Sequence, residues 1–168
     1  MSRLLSILMF LLVSGCGYHL GEESSKLPGD VSTLKIEMFE NLTMKPYLEN
    51  IMTSSVTRRL LLFPEFNLVE NLAQAEAVLS GKVLFYQVES SAYNEKNIIT
   101  EYRATMKIEA ELRRKSDGRI LWRGDMIRFY PFSADLDLKR QDDLERIAQT
   151  LLATRLAVDL SSQLTETF

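Results

Sequence analysis

The sequence predicts an α+β domain in which two helices pack on one face of a mostly antiparallel or mixed sheet of about four strands. Three observations lead to this prediction: a strictly alternating segment over residues 101–113, two amphipathic helical segments, and the order strand, helix, several strands, helix. The chain has 168 residues, of which 46% are hydrophobic and 26% charged, so it is long enough for one ordinary domain and a short appendage.

The first half of the domain contains a strand, a helix and two further strands. Leu34, Ile36 and Met38 alternate with charged residues, which predicts a strand with one buried face. Apolar residues then recur at helical spacing from Leu48 to Phe63, between Pro46 and Pro64. A short strand over 66–69 and a continuously apolar, interior strand over 77–86 follow.

The alternation over 101–113 is the strongest pattern in the chain. The positions predicted to face the core are Tyr102, Ala104, Met106, Ile108, Ala110 and Leu112. Asp117-Gly118 predicts a type I′ turn into a return strand that begins at 119–123, with Trp122 in the core and a bulge at Gly124.

The last element is predicted to be a long amphipathic helix. Residues 132–139 are predicted to be a loop, and apolar residues recur from about Gln141 to Leu160. Since Asp135, Asp137, Asp142 and Asp143 do not have calcium-loop spacing, they are interpreted as a solvated loop leading into a helix N-terminus.

Composition excludes several classes of function. With 20 Lys+Arg against 23 Asp+Glu, the net charge is −3, so a nucleic-acid partner is not expected. One Cys and one His leave no basis for a disulfide framework, a zinc site or a His-based nucleophilic relay. Gly-rich phosphate loops and nucleophile elbows are absent from the sequence, and no metal, no catalytic residue and no enzymatic activity are predicted.

The amino terminus has the pattern of a secretory signal. Arg3 precedes an apolar run over 4–13, which is too short to span a bilayer. The run ends in Val-Ser-Gly-Cys16, which resembles the bacterial lipobox, so residues 1–15 are predicted to be removed and Cys16 to carry covalent diacylglycerol and an acyl chain. Residues 16–30 would then be the lipid anchor and tether, and residues 31–168 a single domain.

Several short motifs resemble those of the lipopolysaccharide-assembly lipoprotein family (LptE-like). They are Cys16-Gly17-Tyr18-His19-Leu20, the strand-end segment Met38-Phe39-Glu40-Asn41-Leu42-Thr43, the strand Ala75-Glu76-Ala77-Val78-Leu79-Ser80-Gly81, and Leu121-Trp122. Their order behind the lipobox, and not any later motif alone, carries the resemblance. His19 is interpreted as part of the anchor segment and not as a metal ligand. The absence of Asp at position 17 favours the outer membrane.

The resemblance implies a function for the whole chain. It implies a lipid-anchored protein of the cell outer membrane that faces the periplasm and a barrel lumen. Its partners would be lipopolysaccharide and the large outer-membrane β-barrel of the lipopolysaccharide translocon, whose assembly it would assist and whose lumen it would plug. The polar lumen of a large barrel is compatible with a predicted sheet face of mixed charge.

Clustered cations are the candidate lipopolysaccharide-binding residues, because the ligand carries phosphates and acidic sugars. The candidates are Arg113, Arg114, Lys115, Arg119 and Arg123. A hairpin can bring them together near one end of the sheet, although cations at a hairpin tip are also commonly solvated and could contact the barrel.

Two other functions remain open at this point. An accessory lipoprotein that activates a periplasmic cell-wall synthase would have the same tethered α+β domain. An exported hydrolase is the third reading, and the scarcity of His and Cys counts against it.

Overall fold

A mixed sheet of six strands, with two helices on one face, makes up the computed structural model, which describes residues 27–64 and 67–166. The strands are β1 (Thr33–Ile36), β2 (Glu40–Asn41), β3 (Asn67–Leu68), β4 (Ala77–Tyr93), β5 (Ile99–Arg114) and β6 (Ile120–Ser133). The helices are α1 (Leu48–Leu60) and α2 (Leu138–Glu166), and a 3₁₀ turn spans Leu72–Gln74. The predicted fold class is confirmed, and the two-residue strands β2 and β3 account for the difference from about four strands.

The sheet is parallel on one side and antiparallel on the other. Its order is β3-β1-β4-β5-β6, and β2 also pairs with β4. Strands β1 and β2 run parallel to β4, whereas β4, β5 and β6 form a long antiparallel meander. The meander supplies the large surface on which the helices pack.

The core lies between the two helices and one face of the sheet. The alternation in β5 has the predicted effect, with Ala104, Met106, Ile108, Ala110 and Leu112 buried, and Tyr102 is partly buried beside them. The helices contribute residues at helical spacing. These are Leu48, Met52, Val56 and Leu60 from α1 and Ala148, Leu152, Leu156 and Leu160 from α2. Neither helix covers the opposite sheet face, which carries the odd-numbered residues of β5. This face is called the open face below.

Strand β4 is longer than predicted and contains a bulge. Val83 pairs with Ile108 and Phe85 with Lys107, so Leu84 is an extra residue. Because of this bulge, Phe85 lies on the open face and Tyr86 on the helix face. The bulge shifts the helix-facing positions of β4 from odd-numbered to even-numbered residues, so the run over 77–86 does not keep one alternation throughout.

The turn between β5 and β6 differs from the predicted type I′ turn. That type needs positive φ at both central residues, whereas Gly118 has φ 70° and Asp117 is not among the residues with positive φ. Residues 115–118 form a four-residue loop closed by hydrogen bonds between Arg114 and Arg119 and between Gly118 and Arg114. The predicted bulge at Gly124 is also wrong, because Gly124 pairs regularly with Ala110.

The bulge in this hairpin lies at Leu121 instead. Arg113 pairs with Ile120 but Leu112 with Trp122, which leaves Leu121 unpaired. Trp122 points into the core and is 8% exposed, as predicted. If the register next to the turn continued without the bulge, Trp122 would lie opposite Glu111 on the open face.

The predicted loop over 132–139 is shorter in the structure. Strand β6 continues through Pro131 to Ser133, and it can contain a proline because it is an edge strand that pairs only with β5. The α2 helix begins at Leu138, where the Asp137 carboxylate accepts hydrogen bonds from the backbone N–H groups of Lys139 and Arg140 at 2.9 and 3.3 Å. Asp137, one of the four acidic residues named in the sequence, therefore caps the helix.

The folded unit begins before Val31. Leu27, within the predicted tether, is 2% exposed, bridges to Val31 and belongs to the core. Met38, predicted on the buried face of the first strand, is 66% exposed because β1 ends at Ile36. Within residues 27–64 and 67–166, neither helix combines the length and apolarity needed to cross a bilayer.

Candidate functional site

Two of the five predicted cations meet on the open face. Glu111 and Arg123 lie directly opposite each other on β5 and β6, and Arg113 follows Glu111 by two residues on the same face. Arg113 Nη2 lies 2.5 Å from Glu111 Oε1, and Arg123 Nη2 lies 2.5 Å from Oε2. One carboxylate therefore bridges two guanidinium groups.

The bridge is electrostatically stabilised. Hydrogen bonds from Arg123 and then Arg113 hold the pKa of the Glu111 carboxyl below its ordinary value, against the raising effect of burial. Glu111 raises the pKa of the Arg123 guanidinium in turn. Arg113 also donates to the Gly118 carbonyl oxygen at 2.9 Å, so its guanidinium is fixed at both ends.

The other three candidate cations do not join this pair. Arg114 donates to the Gly29 carbonyl oxygen at 3.1 Å, on the side where the chain enters the fold. Lys115 donates to the Ala73 carbonyl oxygen at 2.9 Å, and Arg119 is exposed in the loop. The hairpin therefore brings Arg113 and Arg123 together but directs Arg114 and Lys115 elsewhere.

A pocket of about 440 Å³ surrounds the Arg113–Glu111–Arg123 bridge. Its lining also includes Lys82, which lies 3.3 Å from Glu40, and the carboxylates of Glu37 and Glu109. The lining holds four carboxylates and three cations, so the cations are neutralised within the protein. An external anion must therefore compete with carboxylates that are already present.

An apolar strip, interrupted by Lys107, lies in the middle of the open face and was not predicted. Phe85, Ile127 and Phe129 are 40%, 56% and 57% exposed, and Ile127 and Phe85 pair on either side of Lys107. The Arg103 guanidinium lies 5.0 Å from the centre of the Phe129 ring. Within 126–130 of β6, Met126 and Tyr130 lie on the helix face, whereas Ile127 and Phe129 lie on the open face. Apolar residues on both faces of one strand are the sequence signal by which the strip could have been found.

The segment 38–43 and Gly81 form one structural unit. Phe39 is 1% exposed, and its ring lies against Gly81 so closely that a Cβ there would be 2.6 Å from Cδ1 and closer to Cε1. The Asn41 side chain holds the turn that follows. It donates to the Lys45 carbonyl oxygen and to Glu49 Oε2 at 2.8 and 2.9 Å, and it accepts from the backbone and hydroxyl of Thr43.

We expect Asn41→Ala to destabilise the fold by about 2 kcal/mol, since it removes all these hydrogen bonds at a half-buried position. Urea unfolding measures the change. Asn94→Ala is the control, because Asn94 accepts two backbone hydrogen bonds in an exposed loop, and it should cost less than about 1 kcal/mol. Equal effects of the two substitutions would contradict this role of Asn41.

A half-buried polar network lies on the helix side, beneath Tyr86. Its hydroxyl donates to Glu145 Oε1 at 2.9 Å, and Lys45 lies 2.8 Å from the same carboxylate. Burial is the main reason that the pKa of the Tyr86 phenol is raised above its usual value. The phenol therefore stays protonated and acts as a fixed donor between β4 and α2.

Residues 27–64 and 67–166 contain no group of three or more His, Cys, Asp or Glu side chains that could hold a metal ion. Cys16 and His19 lie outside the described residues, so the predicted lipid attachment and the interpretation of His19 remain predictions.

A family model described as lipopolysaccharide-assembly, LptE, matches residues 31–167 of this chain. A search of curated proteins gives no match.

Solved structures show the same fold at low sequence identity. A lipoprotein from Caulobacter crescentus is 11% identical, with a TM-score of 0.54 over 77% of this chain and 89% of that one. The PelC dodecamer from Paraburkholderia phytofirmans is 17% identical, with a TM-score of 0.55 over 80% of this chain and 89% of that one. Protein XCC0632 from Xanthomonas campestris is 14% identical, with a TM-score of 0.56 over 84% of this chain and 91% of that one.

Proposed function

Because this chain belongs to the lipopolysaccharide-assembly family (LptE), we propose that it is the lipid-anchored subunit of the outer-membrane lipopolysaccharide translocon. In this proposal the domain occupies part of the lumen of a large β-barrel partner and assists the assembly of that barrel. It also binds lipopolysaccharide on its way to the outer leaflet. It performs these tasks by shape and non-covalent contact, without catalysing a reaction.

The open face is the observation that supports a lumen position best. Several of its charged residues are paired within the sheet, as in Lys107–Asp125 at 3.0 Å, which lowers the cost of covering this face with a polar wall. The strip of Phe85, Ile127 and Phe129 adds exposed apolar area in the middle of this face. Exposed apolar area of this kind marks interaction surfaces.

Photocrosslinking in membranes tests this placement. We expect a benzoylphenylalanine at Phe129 to crosslink to a large outer-membrane barrel. The same group at Val158 is the control, because Val158 is 40% exposed on α2, on the helix side of the sheet. A peptidoglycan synthase as the captured partner, or equal barrel crosslinks from both positions, would contradict the proposal.

We assign the lipopolysaccharide phosphates to Arg113 and Arg123, since guanidinium groups bind phosphate oxygens in a bidentate manner and these two share one pocket. Arg114, Lys115 and Arg119 would act only as part of the surrounding positive charge.

Neutralising this pair should weaken lipopolysaccharide binding. We expect Arg113→Gln with Arg123→Gln to reduce the affinity of the isolated domain about tenfold at low salt, because charge-assisted hydrogen bonds are lost. Arg114→Gln with Lys115→Gln is the matched control, which removes the same charge from the other side of the hairpin. Circular dichroism checks that both variants fold. Equal losses of affinity in the two variants would mean that lipopolysaccharide responds only to the overall positive charge. Unchanged binding by the variant with Arg113→Gln and Arg123→Gln would rule out this site.

A further inference from the structure

Glu111 has an unusual position within the arginine pair. Its side chain is 19% exposed, whereas those of Arg113 and Arg123 are 45% and 53% exposed. Arg113 Nε and Nη2 both donate to Oε1, and Arg123 Nε and Nη2 both donate to Oε2. The carboxylate thus occupies the donor edges of two guanidinium groups at once.

A guanidinium has five N–H donors, and its Nε–Nη2 edge binds carboxylate and phosphate in the same bidentate manner. Glu111 takes this edge of both arginines, and the Gly118 carbonyl oxygen takes Nη1 of Arg113. A phosphate that binds through the Nε–Nη2 edges therefore competes with Glu111. Among the remaining carboxylates of the pocket, Glu40 is paired with Lys82, and neither Glu37 nor Glu109 forms an ion pair with the two arginines. Glu109 acts on the site only through its charge, which contributes to the raised pKa of the Arg123 guanidinium.

We infer that Glu111 is a built-in competitor that occupies the phosphate site of Arg113 and Arg123 and must be displaced when an anionic phosphate group binds. This inference deepens the proposed function and rests on its assignment of the phosphate ligand. Glu111 is a positioning residue: it holds the arginines in orientation while the site is empty and lowers the affinity of the incoming phosphate.

Weak, exchangeable binding is the consequence for transport. A site on a transport route must release its ligand as well as bind it, and strong binding at one site would stop the flow. An internal carboxylate makes release of the phosphate easier, because it returns to the arginines as the phosphate leaves and so stabilises the released state.

The decisive variant is Glu111→Gln, which keeps the shape of the side chain but removes its charge. We expect this variant to bind lipopolysaccharide about tenfold more tightly than the unaltered domain, because the competitor for the charge-assisted hydrogen bonds is weakened. Glu89→Gln is the matched control. It makes the same change in net charge on the same face, opposite Arg103 at the far end of β4, and should change affinity less than about twofold.

Two further probes identify the ligand group. Lipopolysaccharide from which the phosphates have been removed should bind both proteins equally, and inorganic phosphate should bind Glu111→Gln more tightly than the unaltered domain. If inorganic phosphate gains affinity but lipopolysaccharide does not, the competitor role of Glu111 stands and the site serves a free phosphate and not a lipid headgroup.

The outcomes separate this inference from the proposed function. Unchanged or weaker binding of both phosphate probes to Glu111→Gln would overturn the inference, and Glu111 would then be a cross-strand ion pair and nothing more. If lipopolysaccharide binding still depended on Arg113 and Arg123 in that case, the proposed function would survive. Thermal unfolding confirms that Glu111→Gln is folded. If the variant is unfolded, Glu111→Asp provides the same test, since its shorter side chain should loosen the bridge and raise affinity in the same direction.

Discussion

Gly81→Ala is expected to destabilise the protein by about 2 to 3 kcal/mol, which is the upper range for overpacking a core. A Cβ at this position would overlap the ring of Phe39, with Cε1, Cζ and Cδ1 all too close. Since Phe39 is 1% exposed, its ring has no open space into which to move. Chemical denaturation of the domain measures the loss.

A double substitution tests the cause of this loss. Phe39→Leu shortens the side chain that meets the new methyl group, so combining it with Gly81→Ala should cost less than the sum of the two single changes. Ser80→Ala is the control for the position in the strand, because Ser80 lies opposite Glu111 on the open face. Strictly additive costs would show that Gly81 is required for a reason other than the Phe39 ring.

The lipid on Cys16 is expected to decide where the protein resides, and this is an all-or-none effect. The native leader should give a protein that stays in the outer-membrane fraction after high-salt and carbonate washes. A variant with Cys16→Ser behind a leader that is cleaved conventionally should be released into the soluble periplasm. One acyl chain gives only reversible binding, whereas two or more chains hold a protein on the bilayer.

Changing the leader together with the cysteine is essential to this experiment. Cys16→Ser alone would leave residues 1–15 uncleaved, and their apolar run could itself retain the chain. The matched control places the native residues 12–16, Leu-Val-Ser-Gly-Cys, behind the same new leader. This change should restore retention of the protein on the membrane. If the cysteine-free protein stays with the membrane, or if native protein has an intact leader and a free thiol by mass spectrometry, the lipoprotein prediction is wrong.

Features with a strict sequence period were predictable here. The alternation in β5 and the helical spacing in α2 place most of the buried residues correctly, since each period leaves only one face for the core. Ile147 and Leu151, which belong to the apolar spacing of α2, are exceptions, because they are 55% and 36% exposed. Deviations from the period were not predictable. The extra residues Leu84 and Leu121 follow from how strands fit together across the sheet, and nothing in the local residue types marks them.

The candidate site depends on one of these deviations. Without the bulge at Leu121, Arg123 would not lie opposite Glu111, and the arginine pair would not form. The sequence therefore indicated which cations to consider but not which of them meet, nor that a carboxylate joins them. The distribution of Arg114 and Lys115 to the opposite side likewise depends on contacts with Gly29 and Ala73, which are distant in the chain.

The chain enters the fold beside the β5–β6 loop, where Arg114 contacts Gly29, and β4 leads away from that end for 17 residues. At about 3.3 Å per residue, the loop at 94–98 stands on the order of 50 Å from the point of entry. The hydrocarbon layer of a bilayer is only about 30 Å thick. If the end of the domain near Gly29 lay at one leaflet and the long strands ran along the bilayer normal, the domain would span the bilayer. Tyr93 and Ile98, both about half exposed, would then lie level with the opposite leaflet.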